Sequence, residues 1–224
     1  IVHYSSLLKL KKDCVLNENF IKLYKKFCPG PITFILKLKK NSKISKNVTN
    51  HGKTLAIRFP KHRVLNKLLN TLDYPLAAPS ANISTKLSSV KKTDVKEEFG
   101  NKVSYILDGG KSTVGIESTI INLVNIPKIL RLGGLEINKI EKILKQKIKI
   151  DINPHKNVAP GQSKIHYSPG IPLRINVIKP KKNEAFVLVR KRKTTSKHYY
   201  YLSKKNNNNK KKKNIYSSQR KNKK

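Results

Sequence analysis

PGPITFILKLKK, residues 29–40, is the stretch on which the fold class turns. Between the Pro-Gly-Pro punctuation and the closing lysines, ITFILKL (32–38) is a short apolar run rich in β-branched and aromatic residues, which reads as a strand. Moving outward, TLAIRF (54–59), YPLAAPS (74–80), SYILDGG (104–110), STIINL (118–123) and KILRLG (128–133) share that texture, punctuated by Gly, Pro and Asn. The opening IVHYSS reads like the end of another strand. Helical patterns lie between these runs. Leu16, Phe20, Leu23 and Phe27 recur at helical spacing behind the caps Asn17 and Asn19, and Val64, Leu65, Leu68, Leu69 and Leu72 repeat the period. Asn138 followed by Glu141 has the form of a capping box ahead of Ile143 and Leu144. Strands alternating with helices through residue 147 predict a mixed α/β domain with a sheet of at least five strands.

After Ile150 the chain changes to NPHKNVAPGQSKIHYSPGIPLRI (153–175), rich in Pro and Gly and lacking either period, which reads as a linker or an ordered loop. A strand-like AFVLVR follows at 185–190, too short to make a second domain alone. The end of the chain, 204–224, holds no acid, and its NNNNKKKKN run has neither periodicity nor apolar content, so it reads as a disordered tail.

The formal net charge of the 224 residues is +38, far beyond what solubility needs, and charge of that size points to an anionic partner such as nucleic acid or nucleotide. Lys, Asn and Ile are also the residues that AT-rich codons specify, which is a rival source of the bias. Two cysteines, Cys14 and Cys28, form no CxxC, and the six histidines form no HExxH, so no metal site is expected and a reducing compartment is. No run approaches the ~20 apolar residues of a membrane span and no signal peptide is present, so a cytoplasmic protein is expected. The absence of Met, even at position 1, leads to the expectation that the natural N-terminus lies upstream.

Neither GxxxxGK[ST] nor GxGxxG occurs. Three other constellations carry polar groups into apolar surroundings. Ser80 and Asn82 follow the apolar run YPLAA, where a strand end in an open α/β sheet forms a ligand crevice; two apart on extended chain, they face the same way. They read either as donors to phosphate or ribose, with Ser88 and Ser89, or as a polar turn. In GGKSTVGIESTIINL (109–123), Gly109 and Gly110 permit close backbone approach, and Ser118 and Thr119 either bind a substrate or cap the strand. Arg58 and Arg131 each sit in an apolar run, where a guanidinium either binds a carboxylate or phosphate in bidentate fashion or points outward to solvent.

The ordered motifs PGPITFILK, TLAIRFP, APSAN with a serine-rich turn, LDGG, VGIESTI and ILRLGG resemble the YrdC/Sua5 family, and APGQSKIHYSP (159–169) resembles the Sua5 interdomain linker. The resemblance implies a YrdC-like twisted mixed sheet flanked by helices, followed by a linker and a short remnant of a second domain. The division expected is 1–147 for the YrdC-like domain, 148–174 for the linker, 175–190 for the start of the second domain and 191–224 for the basic tail. The activity implied is L-threonylcarbamoyladenylate synthesis from L-threonine, bicarbonate and ATP with Mg2+, releasing pyrophosphate. The product would feed a threonylcarbamoyl transferase complex that makes t6A in tRNA. By the family pattern, Thr54, Ser80, Asn82, Ser88 and Arg131 line the ATP site. Arg58, the backbone at Ala78, Ser118 and His3 hold threonine, and His166 and Tyr167 form a lid. No protein nucleophile is implied, since fixed donors act by positioning and by stabilising charge.

The sequence departs from the family in three places. The basic KxR motif lies upstream of Ile1, Thr85 stands where Gly is common and Ser89 where Pro is common, and the second domain is short. A protein of this exact extent is therefore expected to be inactive. The alternatives are a double-stranded RNA or tRNA binding module, or an inactive remnant. A HypF-type domain is disfavoured by the HYSP linker and the absence of zinc-finger cysteines.

Overall fold

The computed structural model describes residues 1–152, 167–168, 170–182, 184–189, 199–203 and 207–221. Two compact units emerge: Ile1–Pro79 with Glu117–Lys164, and Ser80–Ile116 with Ile165–Lys224. Each is discontinuous in sequence.

The first unit is built on a seven-stranded sheet. Its strands are β1 (Val2–His3), β2 (Ile32–Lys37), β3 (Thr54–Arg58), β4 (Leu76–Ala77), β5 (Thr119–Asn122), β6 (Lys128–Arg131) and β7 (Lys149–Ile150), in the order β4-β1-β3-β2-β5-β6-β7. Pairing is mixed: β1 runs parallel to β3, β2 to β5 and β6 to β7, while β1/β4, β2/β3 and β5/β6 are antiparallel. This is the mixed α/β sheet that the apolar runs predict. Ile32, Phe34 and Leu36 alternate onto one face, where they join Val2, Leu55, Ile57, Ile121 and Ile129 in the main core. Helices α1 (Leu7–Asp13), α2 (Glu18–Phe27) and α5 (Ile137–Leu144) cover that face through Leu10, Phe20, Leu23, Ile140 and Leu144. Asn17 caps α2 through Phe20 N–H at 2.9 Å and also donates to the Leu123 carbonyl, which ties the helix to the end of β5. Helix α3 (Arg63–Thr71) matches the second periodic run and buries Leu69.

Three sequence expectations are corrected. Residues 104–110 form no strand: Tyr105 and Leu107 are exposed, so the run buries no apolar face, and Asp108 instead accepts from Gly110 N–H in a turn at φ +75°. Asn138 is inside α5 and caps nothing; Glu136 is the N-cap, and Glu141 accepts from Ile148 N–H and Lys147 Nζ. The buried strand expected before Ser80 is the two-residue edge strand β4, with Ala77 exposed.

The second unit holds α4 (Lys92–Phe99), the parallel pair β8 (Phe186–Leu188) and β9 (Tyr199–Tyr201), and α6 (Asn208–Lys221). Strand β8 is the AFVLVR run. Over Asn208–Lys221 helix α6 corrects the reading of the tail as disordered. Asn207 accepts from Lys210 N–H at 3.0 Å, Asn214 donates to the Leu202 carbonyl, and Tyr216 is buried against Leu87 and Val90. Capping and tertiary packing thus supply what a lysine-rich run lacks in periodicity. Among the described residues no helix is long and apolar enough to cross a membrane.

Candidate functional site

The sheet face opposite the main core carries a polar row. Strand register places His3 opposite Arg58, Arg58 opposite Thr33, Thr33 opposite Ile120, and Ile120 opposite Arg131. Directly opposed residues share a face, so His3, Arg58, Thr33 and Arg131 align across β1, β3, β2 and β6, with Ile120 of β5 between the last two. The bulge between Ile120 and Ile121 gives β6 an extra residue and sets Arg131 into this row.

Ser118, just before β5, closes the row. Its hydroxyl lies 2.6 Å from Thr33 Oγ1, and Arg131 donates to it twice, from Nη2 to Oγ and from Nε to the carbonyl, each at 3.1 Å. Ser118 and Thr33 are both buried. A guanidinium only donates, so Ser118 Oγ accepts from Arg131. The Ser118–Thr33 hydroxyl pair carries two hydrogens and its mutual bond uses one, which leaves one O–H to aim at a further acceptor. Thr119, by contrast, exchanges hydrogen bonds with the Leu135 backbone, donating at 2.6 Å and accepting at 3.1 Å, and so caps locally. Gly133 makes this closure possible: a Cβ there would stand 2.4 Å from Ser118 C and Thr119 N.

Charge in the row is uncompensated at Arg58. Among the described residues its one hydrogen bond is from Nε to the Gly30 carbonyl at 3.3 Å, and it forms no ion pair. Burial, then the positive Arg131, pull its pKa down. His3 is lowered to about 4 by burial and then by Arg58, so the imidazole is neutral at physiological pH, and its Nδ1 is buried without a hydrogen-bond partner. Burial pushes the nearby Cys28 thiol up to about 12 against the pull of Arg58, so it stays protonated and inert. Arg58, the hydroxyl pair and a neutral acceptor thus stand ready for a ligand with a carboxylate and a donor group.

The remaining predicted residues of the first unit are Thr54 and Ala78. Thr54 is exposed at the start of β3, four residues from Arg58 and so about 13 Å along the strand. Ala78 N–H donates to the Ile1 carbonyl at 3.1 Å, which makes the Ala78 carbonyl the group it offers to a ligand.

In the second unit, residues 80–90 form a self-bonded loop. Asn82 N–H reaches the Ser80 carbonyl at 2.9 Å, so the chain turns here and does not run extended. Asn82 Nδ2 donates to the Ile83 and Lys86 carbonyls at 2.9 and 3.0 Å, and Ser89 donates to the Ala81 carbonyl at 2.6 Å. Those two donations fix the amide so that Oδ1 faces inward, buried and without a partner. Asn82 is therefore an acceptor, suited to a hydroxyl or amino hydrogen and not to phosphate. Ser80 is exposed and Ser88 buried. Thr85, where the family favours Gly, has φ +72°. His166 lies outside the described residues; Tyr167 stacks on Tyr216 with ring centroids 5.9 Å apart. Among the described residues no group of three or more His, Cys, Asp or Glu is placed to hold a metal ion.

Sequence reasoning missed Thr33, although a hydroxyl inside the apolar run ITFILK is the signal that marks it.

A family model covering the Sua5, YciO and YrdC proteins and described as telomere recombination matches residues 1–133. A second, described as threonylcarbamoyl-AMP synthase, C-terminal domain, matches residues 135–224. The threonylcarbamoyl-AMP synthase of Pyrococcus abyssi is 38% identical over 180 residues, 75% of this chain and 51% of that protein. That of Bacillus subtilis is 37% identical over 158 residues, 68% of this chain and 45% of that protein. This chain thus spans about half the length of the curated relatives it matches. The crystal structure of P. abyssi Sua5 complexed with L-threonine matches with a TM-score of 0.84 at 27% identity, covering 98% of this chain and 70% of that one.

Proposed function

The chain belongs to the Sua5/YciO/YrdC family, and from that premise we propose that it forms L-threonylcarbamoyladenylate and pyrophosphate from L-threonine, bicarbonate and ATP. The observation that carries this reading is the row of Arg58, the Ser118–Thr33 hydroxyl pair and Arg131, with neutral His3 at its end. A polar amino acid has the matching groups. Arg58 takes the carboxylate, the spare hydroxyl hydrogen of the Ser118–Thr33 pair supports it, and His3 Nδ1 accepts from the threonine hydroxyl or amine. The Ala78 carbonyl is a second acceptor for the amine.

Thr54, Arg131, Ser80, Asn82 and Ser88 are assigned to ATP by the family pattern. Asn82 Oδ1, buried without a hydrogen-bond partner, supports a contact with the ribose or base part of the nucleotide. In the reaction the threonine amine takes up the carbon of bicarbonate with loss of water, and the resulting carbamate oxygen attacks the α-phosphorus as pyrophosphate leaves. Both steps gather anions, so fixed guanidinium and hydroxyl donors lower the barrier by positioning and charge stabilisation, with no protein nucleophile. Mg2+ would accompany the ATP phosphates, since among the described residues no group of three or more His, Cys, Asp or Glu is placed to hold it. The product is a substrate for threonylcarbamoyl transfer to tRNA, and a cytoplasmic setting accompanies that role.

Calorimetric titration of L-threonine into the full-length protein tests the assignment. Binding that Arg58→Ala weakens by about 10- to 100-fold supports it, the scale expected for losing a charged hydrogen bond. Equal binding by the variant contradicts it.

A further inference from the structure

We infer that Tyr216, on the basic helix α6, is a positioning residue that clamps the 80–90 loop and Tyr167 into one rigid piece. The inference rests on the assignment of Ser80, Asn82 and Ser88 to the nucleotide. Three observations within the second unit carry it. Tyr216 is 7% exposed and forms a cluster with buried Leu87 and Val90, against which Ile116, Tyr167 and Ile215 pack. Its ring stacks on Tyr167 at 5.9 Å with 25° between planes. Tyr167 and Ser168 are in turn bound to the loop, since Ser168 N–H donates to the Thr85 carbonyl at 2.8 Å and Ser168 bridges Lys86.

The loop needs such a clamp. Besides bonds within Ser80–Ser89, Ile83 N–H and Val90 N–H donate to Glu98 and Asp94 of α4, while the bend at Thr85 holds a β-branched residue at φ +72°. Tyr167 also adopts positive φ, +57°. Leu87 and Val90, which flank Ser88, are its anchors, and Tyr216 covers both. A conformation strained at two non-glycine residues persists only where surrounding contacts over-determine it. The lysine-rich segment is thus no appendage: its one buried aromatic ring fixes the loop that presents Ser88 and Asn82.

The test compares Tyr216→Phe and Tyr216→Ala in the full-length protein by amide hydrogen exchange over residues 83–90 and at Tyr167 and Ser168. Steady-state KM for ATP and for L-threonine is measured in parallel. Tyr216→Ala should speed exchange in those segments about tenfold, as expected when a local packing contact is lost. It should raise KM for ATP and leave KM for L-threonine unchanged, and Tyr216→Phe should restore both readouts. Exchange that is unchanged in Tyr216→Ala overturns the clamp whether or not the protein turns over. Faster exchange with unaltered KM for ATP, in an active enzyme, overturns the positioning role. Loss of protection throughout α4 and β8 as well would mean a general folding defect and would also overturn it. Absence of turnover in the unmutated protein counts against the proposed reaction and leaves exchange to judge the clamp.

Discussion

Arg131 holds Ser118 by two hydrogen bonds of 3.1 Å, one to its hydroxyl and one to its carbonyl, so a residue of β6 fixes the entry to β5. The relationship orients one hydroxyl. With Arg131 donating to Ser118 Oγ and Thr33 Oγ1 2.6 Å away, the pair has one hydrogen left for a ligand.

Deleting either member of that pair should therefore be felt by the carboxylate, and the two deletions should not add. Ser118→Ala and Thr33→Val should each raise KM for L-threonine by about 5- to 30-fold, the effect of losing a hydrogen bond of roughly 1–2 kcal/mol. The double variant should exceed the product of the two effects, because each single variant keeps one O–H that can still donate and only the double removes both. Full additivity in a double-mutant cycle would mean that the hydroxyls act separately.

Gly133→Ala should destabilise the first unit by about 1–3 kcal/mol or more, since its Cβ would press on rigid backbone and no flexible side chain can yield. The clash falls on Ser118 and Thr119, so threonine binding should weaken along with the melting temperature. A variant of unchanged stability would show that the chain here has room the structure does not provide.

Thr85→Gly should stabilise the second unit by about 0.5–1 kcal/mol, because glycine removes the side-chain cost of a left-handed backbone, partly offset by its greater freedom when unfolded. Denaturant unfolding measures this directly; a loss of stability would contradict the positive φ at Thr85.

His3 makes folding sensitive to acid. Its folded pKa of about 4 lies below the ordinary 6.5, so only the unfolded chain takes up the proton as pH falls. Stability from this group is intact above pH 6.5 and declines from there to about pH 4, by at most about 3 kcal/mol. His3→Asn should flatten that decline in melts run between pH 7 and pH 4.5; parallel curves for the two proteins would count against a buried neutral imidazole.

Much of this architecture is legible in the sequence because it depends on local pattern. Strands β2, β3, β5 and β6 and helices α2 and α3 announce themselves by apolar runs and helical spacing, and Asn17 caps α2 as an N-cap residue should. What the sequence hides is register and partnership. Nothing local says that His3, Arg58, Thr33 and Arg131 share one row, since strand pairing brings them together from positions 3 to 131. Residues 104–110 have strand composition but leave Tyr105 and Leu107 exposed. Asn138 and Glu141 have capping-box spacing, yet Glu141 is drawn to Ile148 and Lys147. Helix α6 is lysine-rich and reads as disordered until Tyr216 finds Leu87 and Val90.

Pyrophosphate release from ATP by the full-length protein, with and without L-threonine and bicarbonate and beside Arg58→Ala, tests the central claim most directly. The account predicts release that needs both cosubstrates and falls at least tenfold in the variant, the scale of one lost charged hydrogen bond. No release under any condition, together with tight tRNA binding that weakens steeply with salt, would contradict it and identify the fold as a nucleic-acid binding module.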